Sequence, residues 1–348
     1  MIIDRYIATE IAKPFAIAIS GLVVIFIAYT SAVILNDVVA GKFGVQVVAT
    51  LIMLRTLIIM EVLLPTALYL SVVMGIGRLY RDSEMVALWS LGVSEKRLLR
   101  SVLPLALVVA LLVASISLYG RPWAYRLSYQ LEQQAALTAS VEQMRPGHFS
   151  VLGDGRLVFT ADRVDVAEKR AEKVFVQHDT GTGRRVIRAA EARLLAVKPD
   201  PKVRFTDGYA YDFDMKGGND SVMRFGSMTL DLYEENEQRV EEKRKAKPTA
   251  QLDRSRPKEL AEYQWRLSMP LATLMLGVLA LPLSYTRPRQ GRHLSLFIAI
   301  VVYALFFNLT AMARTWVEHG NVGAVPGIWW VHLLLAILLL ALLARRRP

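Results

Sequence analysis

The residues best placed to do chemistry in this 348-residue chain lie in a short polar segment between two apolar runs. An acidic residue, Glu84, is followed there by apolar residues at helical spacing. Gly92 then reads as a helix stop, and Ser94 as the cap of the next helix. The pattern predicts a short amphipathic helix over about residues 79–91, with these candidate functional residues: Tyr80, Ser83, Glu84, Met85, Leu88 and Trp89.

Two interpretations of this amphipathic helix remain open. It can lie flat on a membrane surface with its apolar face in the lipid. It can also be a coupling helix that inserts into a groove of a cytoplasmic partner protein, using apolar anchors and one buried charge. In the second case Glu84 is that charge, because its carboxylate can pair with an arginine of the partner.

Enzymatic chemistry finds little support in the sequence. No phosphate-binding G-x-x-x-x-G-K-[ST] run occurs, and the five histidines are scattered without metal-ligand spacing. No nucleophile motif is evident. The absence of cysteine excludes disulfides and thiolate metal sites. We therefore expect a protein that is not an enzyme by itself and needs neither a cofactor nor a metal.

Six apolar stretches surround these polar elements, three before and three after about 145 polar residues. Each has the roughly 20 residues that a helix needs to cross a bilayer core, where only closed hydrogen bonding is tolerated. The stretches cover residues 14–35, 53–77, 101–119, 267–285, 294–313 and 325–344. The sequence thus predicts a membrane protein of the α plus β class, with six transmembrane helices (3+3) around an inserted domain.

The distribution of lysine and arginine predicts the orientation. Short segments on one side of the predicted membrane hold thirteen of these residues, and those on the other side hold three. The positive-inside bias therefore places both termini in the cytoplasm and the central domain outside. In that domain 26 basic residues nearly balance 23 acidic ones, so the net charge of +11 reflects topology and no nucleic acid partner is expected.

The inserted domain begins with a helical stretch, 121–141, and continues as short alternating runs separated by turn residues. The runs are 156–160, 173–178, 185–189, 192–197, 202–205, 210–213, 222–225 and 228–233. Their spacing predicts a β-sandwich or jelly roll. One apolar face would contain Val203, Phe205, Tyr209, Tyr211 and Phe213. Whether the interior of this β domain is filled with side chains or forms a lipid-lined groove stays open. A charged linker follows the domain at residues 234–258.

A few polar residues fall inside the apolar stretches. Glu61 lies deep in the second one, where an unpaired carboxylate is costly, so we expect it to be functional or to face the helix bundle. Arg55 lies near the outer end of the same stretch and can extend its charge to the membrane surface. Asn308, in the fifth stretch, can hydrogen-bond between helices.

Several motifs resemble one protein family over essentially the whole chain. They are Met1–Tyr6, Leu64-Pro65, the Gly-x-x-Tyr-x-x-Ser-Glu pattern at Gly77, Tyr80, Ser83 and Glu84, the segment Ala261–Arg266, and the loop residues Pro282–Ser284 and Pro288–Arg292. Together they resemble the F/G permease family of the lipopolysaccharide export (Lpt) system of Gram-negative bacteria. The last loop is more similar to F subunits than to their G paralogues.

The resemblance implies a permease subunit of an ATP-binding-cassette exporter in the bacterial inner membrane, which extracts lipopolysaccharide and passes it to a periplasmic bridge. Its partners would be a cytoplasmic ATPase homodimer, a paralogous six-span permease, a bitopic jelly-roll protein and the bridge protein. Domains would cover 1–120, with the coupling helix at about 79–91, then 121–262 as a periplasmic β-jellyroll and 263–348. The candidate substrate-binding residues are Lys42, Arg55, Glu61 and Arg314.

Two other functions remain open at this stage. The chain could be a permease of another ATP-driven system for envelope lipids or lipoproteins. Permeases of that kind are expected to have one span before the outer domain and three after it, whereas this chain has three and three. It could also be a membrane scaffold with a periplasmic β sensor domain, which would need no ATPase partner.

Overall fold

The computed structural model describes residues 2–39, 45–142, 148–152, 157–165, 168, 170–179, 183–196, 202–214, 220–231, 244–285 and 294–344. The chain forms two compact units. The first, which is helical, comprises residues 1–31, 52–127 and 241–348. The second comprises residues 32–51 and 128–240 and contains the β-sheet. In the sequence, residues 52–127 and 241–348 of the helical unit lie before and after the strands.

The bundle is built from helices that follow the apolar stretches. They are α1 (Ile2–Val39), α2 (Val48–Arg81), α3 (Glu84–Ser90), α4 (Glu95–Ser115), α5 (Arg121–Glu142), α6 (Pro257–Leu283), α7 (Leu294–Glu318) and α8 (Trp329–Ala344). A π-helical turn, Ile116–Gly120, joins α4 to α5 without a break. Short 3-10 turns occupy Val45–Val47 and Thr249–Gln251.

The predicted membrane helices are confirmed. Among the described residues, α1, α2, the continuous α4–α5, α6 and α7 are long and apolar enough to cross a membrane. The sixth helix, α8, is apolar but has only 16 residues and begins at Trp329 rather than near 325. It starts late because the preceding turn contains Gly327 at φ +52°, where Gln264 of α6 occupies the space of a β-carbon. Gln264 binds both sides of that turn, donating to the Ala324 carbonyl (2.9 Å) and accepting from the Ile328 N–H (3.0 Å).

Helix α1 is longer than its apolar stretch, since it begins at Ile2 instead of near residue 14. Its first three turns remain helical although they are polar, because Ile7 and Ile11 are fully buried in the bundle core. At Gly75 of α2 the two helices touch through their backbones: a β-carbon there would lie 2.8 Å from the Glu10 carbonyl oxygen. Helix α1 therefore extends the bundle beyond the predicted span.

Helix α6 is the most enclosed of the long helices and packs against α4. The contact uses small residues, because a β-carbon at Gly277 would lie 3.1 Å from that of Ala106 and 3.3 Å from a methyl carbon of Leu68. Small side chains allow membrane helices to approach closely and to gain dispersion contacts. The centre of the bundle is thus a tight contact of α2, α4 and α6.

The second unit contains one antiparallel sheet in which each strand pairs with its neighbour in the sequence. The strands are β1 (Ser150–Leu152), β2 (Leu157–Asp165), β3 (Arg170–Asp179), β4 (Gly183–Ala196), β5 (Lys202–Asp214) and β6 (Ser221–Asp231). One face is buried around residues such as Val176, Ile187 and Phe205. The predicted β-jellyroll is represented in the described residues by this sequential six-stranded sheet.

Three pairs of predicted short runs are single long strands. The Asp207-Gly208 pair had the composition of a turn, yet it lies within β5, with Asp207 at φ +49°. Gly208 is required there because a β-carbon would clash with the Arg188 carbonyl oxygen and lie 2.7 Å from the Phe225 ring. The irregularity exchanges the two faces of the strand, so Phe205 is buried while Tyr209 is exposed. The prediction that these two residues share one apolar face is therefore wrong.

Candidate functional site

The predicted amphipathic helix exists and is shorter than expected. Helix α2 continues to Arg81, so Tyr80 belongs to its last turn, and α3 spans only Glu84–Ser90. Ser83 separates the two helices in a left-handed conformation at φ +60°. The chain turns there without breaking the bundle, and this turn replaces the predicted start near residue 79.

The end of α3 follows the sequence prediction. Gly92, at φ +78°, donates its N–H to the Trp89 carbonyl (2.9 Å), and Val93 donates to the Leu88 carbonyl (3.0 Å). This pair of bonds is the Schellman motif, which satisfies the last carbonyls of a helix. Ser94 is the N-cap residue of α4, as predicted, although its side chain makes no capping hydrogen bond.

Helix α3 has an inner and an outer face. Met85 is 2% exposed and Leu88 packs against the same core, so these residues fix α3 on the bundle. On the outer side Val86 is 61% exposed, Trp89 40% and Leu91 76%. A seven-residue helix thus presents an apolar surface away from the bundle.

Aromatic rings hold the base of α3. The Tyr80 ring meets the Trp89 ring edge-on at 5.8 Å between centroids, and meets Tyr285, just after α6, at 5.3 Å. Edge-to-face pairs of this kind add about 0.5–1.5 kcal/mol to the burial of the rings. The position of Trp89 is therefore linked to the ends of both α2 and α6.

The Glu84 carboxylate is bound within the chain. It accepts a 2.5 Å hydrogen bond from the Tyr6 hydroxyl of α1, and its other oxygen lies 3.8 Å from the Arg78 guanidinium of α2. Arg78 also pairs with Glu10 of α1 and with Asp82 (3.2 Å). The first residue of α3 is thus joined by polar contacts to two membrane helices.

A second cluster of charges lies near the middle of α2, away from Arg78. Glu61 precedes Arg78 by 17 residues, which corresponds to about 26 Å along a helix axis. Its carboxylate receives two hydrogen bonds of 3.0 Å from one terminal nitrogen of Arg121. Both side chains are at most 6% exposed. The expectation that Glu61 faces the bundle agrees with this position.

Glu262 of α6 is the centre of this cluster, and its side chain is fully buried. It lies 3.4 Å from Arg121, 3.1 Å from Arg266 and 3.1 Å from Arg314. Because Arg121 contacts Glu61 as well, one network joins α2, α5, α6 and α7. Removing one residue of such a buried ion pair typically lowers the free energy of unfolding by about 3–5 kcal/mol. The network therefore sets the relative positions of four helices.

Arg266 also anchors the segment that leads into α6. Its guanidinium donates to the carbonyls of Lys245 and Lys247, each at 3.0 Å, and to the Thr249 hydroxyl at 2.8 Å. Thr249 in turn donates to the Leu118 carbonyl (2.8 Å), which lies in the π-helical turn. A π-helical turn leaves carbonyls in unusual directions, and here one of them is used. The chain segment before α6 is thus pinned to the helix that leaves the bundle.

The outer layer of the network contains more ion pairs. Arg314 donates to Glu318 (3.0 Å), which also lies 3.5 Å from Arg244. The Arg314 guanidinium is stacked 4.9 Å above the Trp265 ring. Beyond the membrane helices, the Ser255 hydroxyl and N–H hydrogen-bond to Asp253 and hold the pKa of that carboxyl below its usual range.

The predicted substrate-binding residues have different positions in the structure. The network brings together Glu61 and Arg314, through Arg121 and Glu262. Arg55 is half-buried on α2, six residues before Glu61, and Lys42 lies outside the described residues. Asn308 is exposed and donates to the Ala304 carbonyl of its own helix (2.8 Å), so the described contacts do not include the predicted bond between helices.

Sequence reasoning missed Arg121, Glu262 and Arg266 as site residues. Arg121 was assigned to the boundary of the outer domain, and the other two were read only as part of a family motif. A usable signal was present, because Glu262 and Arg266 are spaced i,i+4 in a helix that continues into an apolar stretch. Within the described ranges, no group of three metal-ligating side chains lies together, and this site is built for ion pairing.

Comparisons with known proteins cover nearly the whole chain. The model of the family described as "Lipopolysaccharide export system permease LptF/LptG" matches residues 5–345. The chain is 25% identical to the lipopolysaccharide export system permease protein LptF of Escherichia coli K12 over 351 residues, which covers 98% of this chain and 94% of that protein. The proteins of the same name from Escherichia coli O157:H7 and Shigella flexneri match with the same identity and coverage.

Proposed function

The chain belongs to the LptF/LptG family of lipopolysaccharide export permeases, and we propose that α3 is the surface on which a separate cytoplasmic ATPase drives it. As a family member it is a multi-pass permease subunit of the inner membrane, and its helices form the membrane part of a lipopolysaccharide transport complex. The assignment of the chain as an F subunit is part of the same proposal, and it is supported by the name LptF of the relatives reported above.

The observation that carries this proposal is the outward apolar face of α3. Val86, Trp89 and Leu91 are exposed on a helix whose inner face is locked by Met85. An amphipathic helix can bind with its apolar face in a groove of a partner protein. Because α3 is fixed to the bundle, a movement of the partner would also move the bundle. A surface helix in lipid would use the same face. Membership in a family of export permeases, together with the absence of a G-x-x-x-x-G-K-[ST] run from this sequence, favours a separate ATPase as the partner.

Orientation follows from the positive-inside count. With both termini and α3 in the cytoplasm, the ATPase reaches α3 from the cytoplasmic side, and the β-sheet unit is periplasmic. The boundaries 1–120, 121–262 and 263–348 belong to the same proposal. The remaining partners would be a paralogous six-span permease, a bitopic jelly-roll protein and a periplasmic bridge, to which the β-sheet unit hands lipopolysaccharide.

ATP would act through the relative stability of two bundle arrangements. When the ATPase dimer closes, it moves α3, and the permease shifts against its paralogue. Lipopolysaccharide leaves because the closed cavity binds it less well than the open one, since only a difference in affinity between states can shift an equilibrium. This permease supplies part of the cavity and the helix α3 that is moved, and the ATPase supplies the free energy of ATP hydrolysis.

The buried network would keep the bundle rigid during this movement. Glu61 and Arg314 act in this way because their charges are satisfied inside the bundle by Arg121 and Glu262. Lys42 and Arg55 are then the better candidates for contact with lipopolysaccharide phosphates. In the sequence, Arg55 falls near the outer end of the second apolar stretch and Lys42 falls between the first and second stretches, which the proposed orientation puts on the side of the outer lipid headgroups.

The experiment is affinity purification of the tagged chain in mild detergent, with Val86→Glu compared with wild type. A charge placed in an apolar contact costs several kcal/mol, so recovery of the ATPase should fall at least about tenfold. Val222→Glu is the matched control, because Val222 of β6 is 65% exposed and remote in sequence from α3. Normal ATPase recovery with Val86→Glu would refute docking on α3. Failure of the wild-type chain to recover any ATPase would favour the scaffold function.

A further inference from the structure

The first turns of α1 carry three side chains that bind three different elements at the end of the bundle where α3 lies. The pairs are Asp4 with Arg97 of α4 (3.4 Å), Tyr6 with Glu84 of α3 (2.5 Å), and Glu10 with Arg78 of α2. Asp4 also accepts a hydrogen bond of 3.1 Å from Ser101. These turns precede the apolar stretch of α1, so their polar residues are not explained by membrane insertion.

Among these pairs, Tyr6 with Glu84 connects α1 to the docking helix. The phenol donates to a carboxylate, and a hydrogen bond to a charged acceptor is about twice as strong as one between neutral groups. Glu84 is the first residue of α3, directly after the left-handed turn at Ser83. Glu84 lies directly beyond that turn, so its hydrogen bond to Tyr6 ties the base of α3 to α1, and α3 cannot move as a unit without moving α1 while this bond holds.

The connection continues from Tyr6 into two membrane helices. One turn farther along α1, the backbone of Glu10 touches α2 so closely that a β-carbon at Gly75 would lie 2.8 Å from the Glu10 carbonyl oxygen. Arg78, one turn beyond Gly75, pairs with Glu10 and lies 3.8 Å from Glu84. Tyr6, Glu10, Arg78 and Glu84 thus form a closed circuit through α1, α2 and α3.

We infer that Tyr6 is a positioning residue that transmits the movement of α3 to α1 through its hydrogen bond to Glu84. The inference rests on the proposed docking of an ATPase on α3. It distinguishes the binding of the ATPase from the transmission of its movement to the membrane helices. The exposed apolar face of α3 binds the ATPase, whereas the Tyr6–Glu84 hydrogen bond converts its displacement into movement of the first membrane helix. The family motif at the beginning of the chain thereby gains a role.

The test uses the assembled transporter in proteoliposomes, with Tyr6→Phe as the variant. Three quantities are measured: ATPase recovered with the permease, ATP hydrolysed, and lipopolysaccharide released to a soluble periplasmic acceptor. Tyr6→Phe should retain the ATPase and its hydrolysis, and should lower lipopolysaccharide released per ATP by about three- to tenfold, as expected for the net loss of one hydrogen bond of a partly exposed side chain. Tyr29→Phe removes the same atom from an exposed residue of the same helix and should behave as wild type.

Each other outcome has a distinct meaning. An unchanged ratio of lipopolysaccharide to ATP in Tyr6→Phe overturns the inference, and the proposed function stands because the complex still transports. Loss of the ATPase from Tyr6→Phe also overturns it, because Tyr6 would then support docking. If the wild-type complex neither binds the ATPase nor releases lipopolysaccharide, the proposed function itself fails.

A double variant tests the acceptor. If Tyr6 acts through Glu84, the combination of Tyr6→Phe with Glu84→Gln should lower the ratio no further than Glu84→Gln alone. Losses that multiply would show that the two residues act separately and would overturn the shared path.

Discussion

The substitution Arg121→Met removes the cation that two buried carboxylates share. Arg121 makes two 3.0 Å hydrogen bonds to Glu61 and lies 3.4 Å from Glu262. Glu262 retains Arg266 and Arg314, each at 3.1 Å, but Glu61 loses the contact that balances its charge. The substitution therefore leaves one carboxylate, 2% exposed, without its arginine in the centre of the bundle.

The expected cost follows from that geometry. Removal of one partner of a buried pair destabilises by about 3–5 kcal/mol, because the other charge is left uncompensated. For a chain of this size each kcal/mol lowers the melting temperature by about 1–3 °C, so Arg121→Met should lower it by roughly 3–15 °C. The melting temperature is measured on the purified protein in detergent by the temperature dependence of its monodisperse peak in gel filtration.

Two further variants decide whether the ion pair is the cause. Arg100→Met removes an exposed arginine from α4 and should change the melting temperature by less than about 2 °C. The double substitution Glu61→Met with Arg121→Met removes both charges and should recover most of the loss, because an apolar pair can replace a buried ion pair at little cost. Arg121→Met as stable as Arg100→Met would refute the reasoning. A double variant no better than Arg121→Met would assign the loss to packing rather than to charge.

Three further predictions concern close contacts and one anchor. Gly75→Ala should weaken the α1–α2 contact by about 1–3 kcal/mol because its methyl group meets backbone, whereas Gly21→Ala, with open space around it, should leave the melting temperature unchanged. Thr249→Val should free the segment before α6, so trypsin should cleave this segment several-fold faster than in wild type, while cleavage elsewhere in the chain stays unchanged. Equal cleavage rates of the segment in the variant and in wild type would contradict the anchor. Gly208→Ala should destabilise the β-sheet unit, while Gly226→Ala in the neighbouring strand should not, as judged by urea unfolding of the β-sheet signal.

The membrane helices could be predicted because the bilayer imposes one length and one composition on every span. Polar extensions are not constrained in this way, and α1 extends twelve residues before its apolar stretch because Ile7 and Ile11 pack on the bundle. The end of α3 was predictable from Gly92, whose left-handed conformation is a local property. Its start was not, because Ser83 adopts a conformation that its residue type rarely favours.

The β-sheet contains a feature that the local sequence does not predict. Asp207-Gly208 has the composition of a turn, and only the neighbouring strands decide that it is an irregularity inside β5. The same holds for the buried network. Glu61 was recognised because a carboxylate in an apolar stretch is unusual, whereas Arg121 lies at the end of its stretch and resembles an ordinary flanking charge. Which charges meet is a tertiary property, and a single sequence does not contain it.

The π-helical turn Ile116–Gly120 has a consequence for how the length of this chain can vary. Such a turn contains one residue more than an α-helix needs, so deleting a single residue there would restore α-helical geometry with little rotation of the helix beyond it. Arg121 would then keep its orientation toward Glu61, whereas the Leu118 carbonyl would return to the hydrogen bonds of its own helix and leave Thr249. A one-residue deletion at a regular α-helical position of α4 or α5 would instead rotate everything beyond it by about 100°, so the π-helical turn is where this continuous helix can lose one residue at least structural cost.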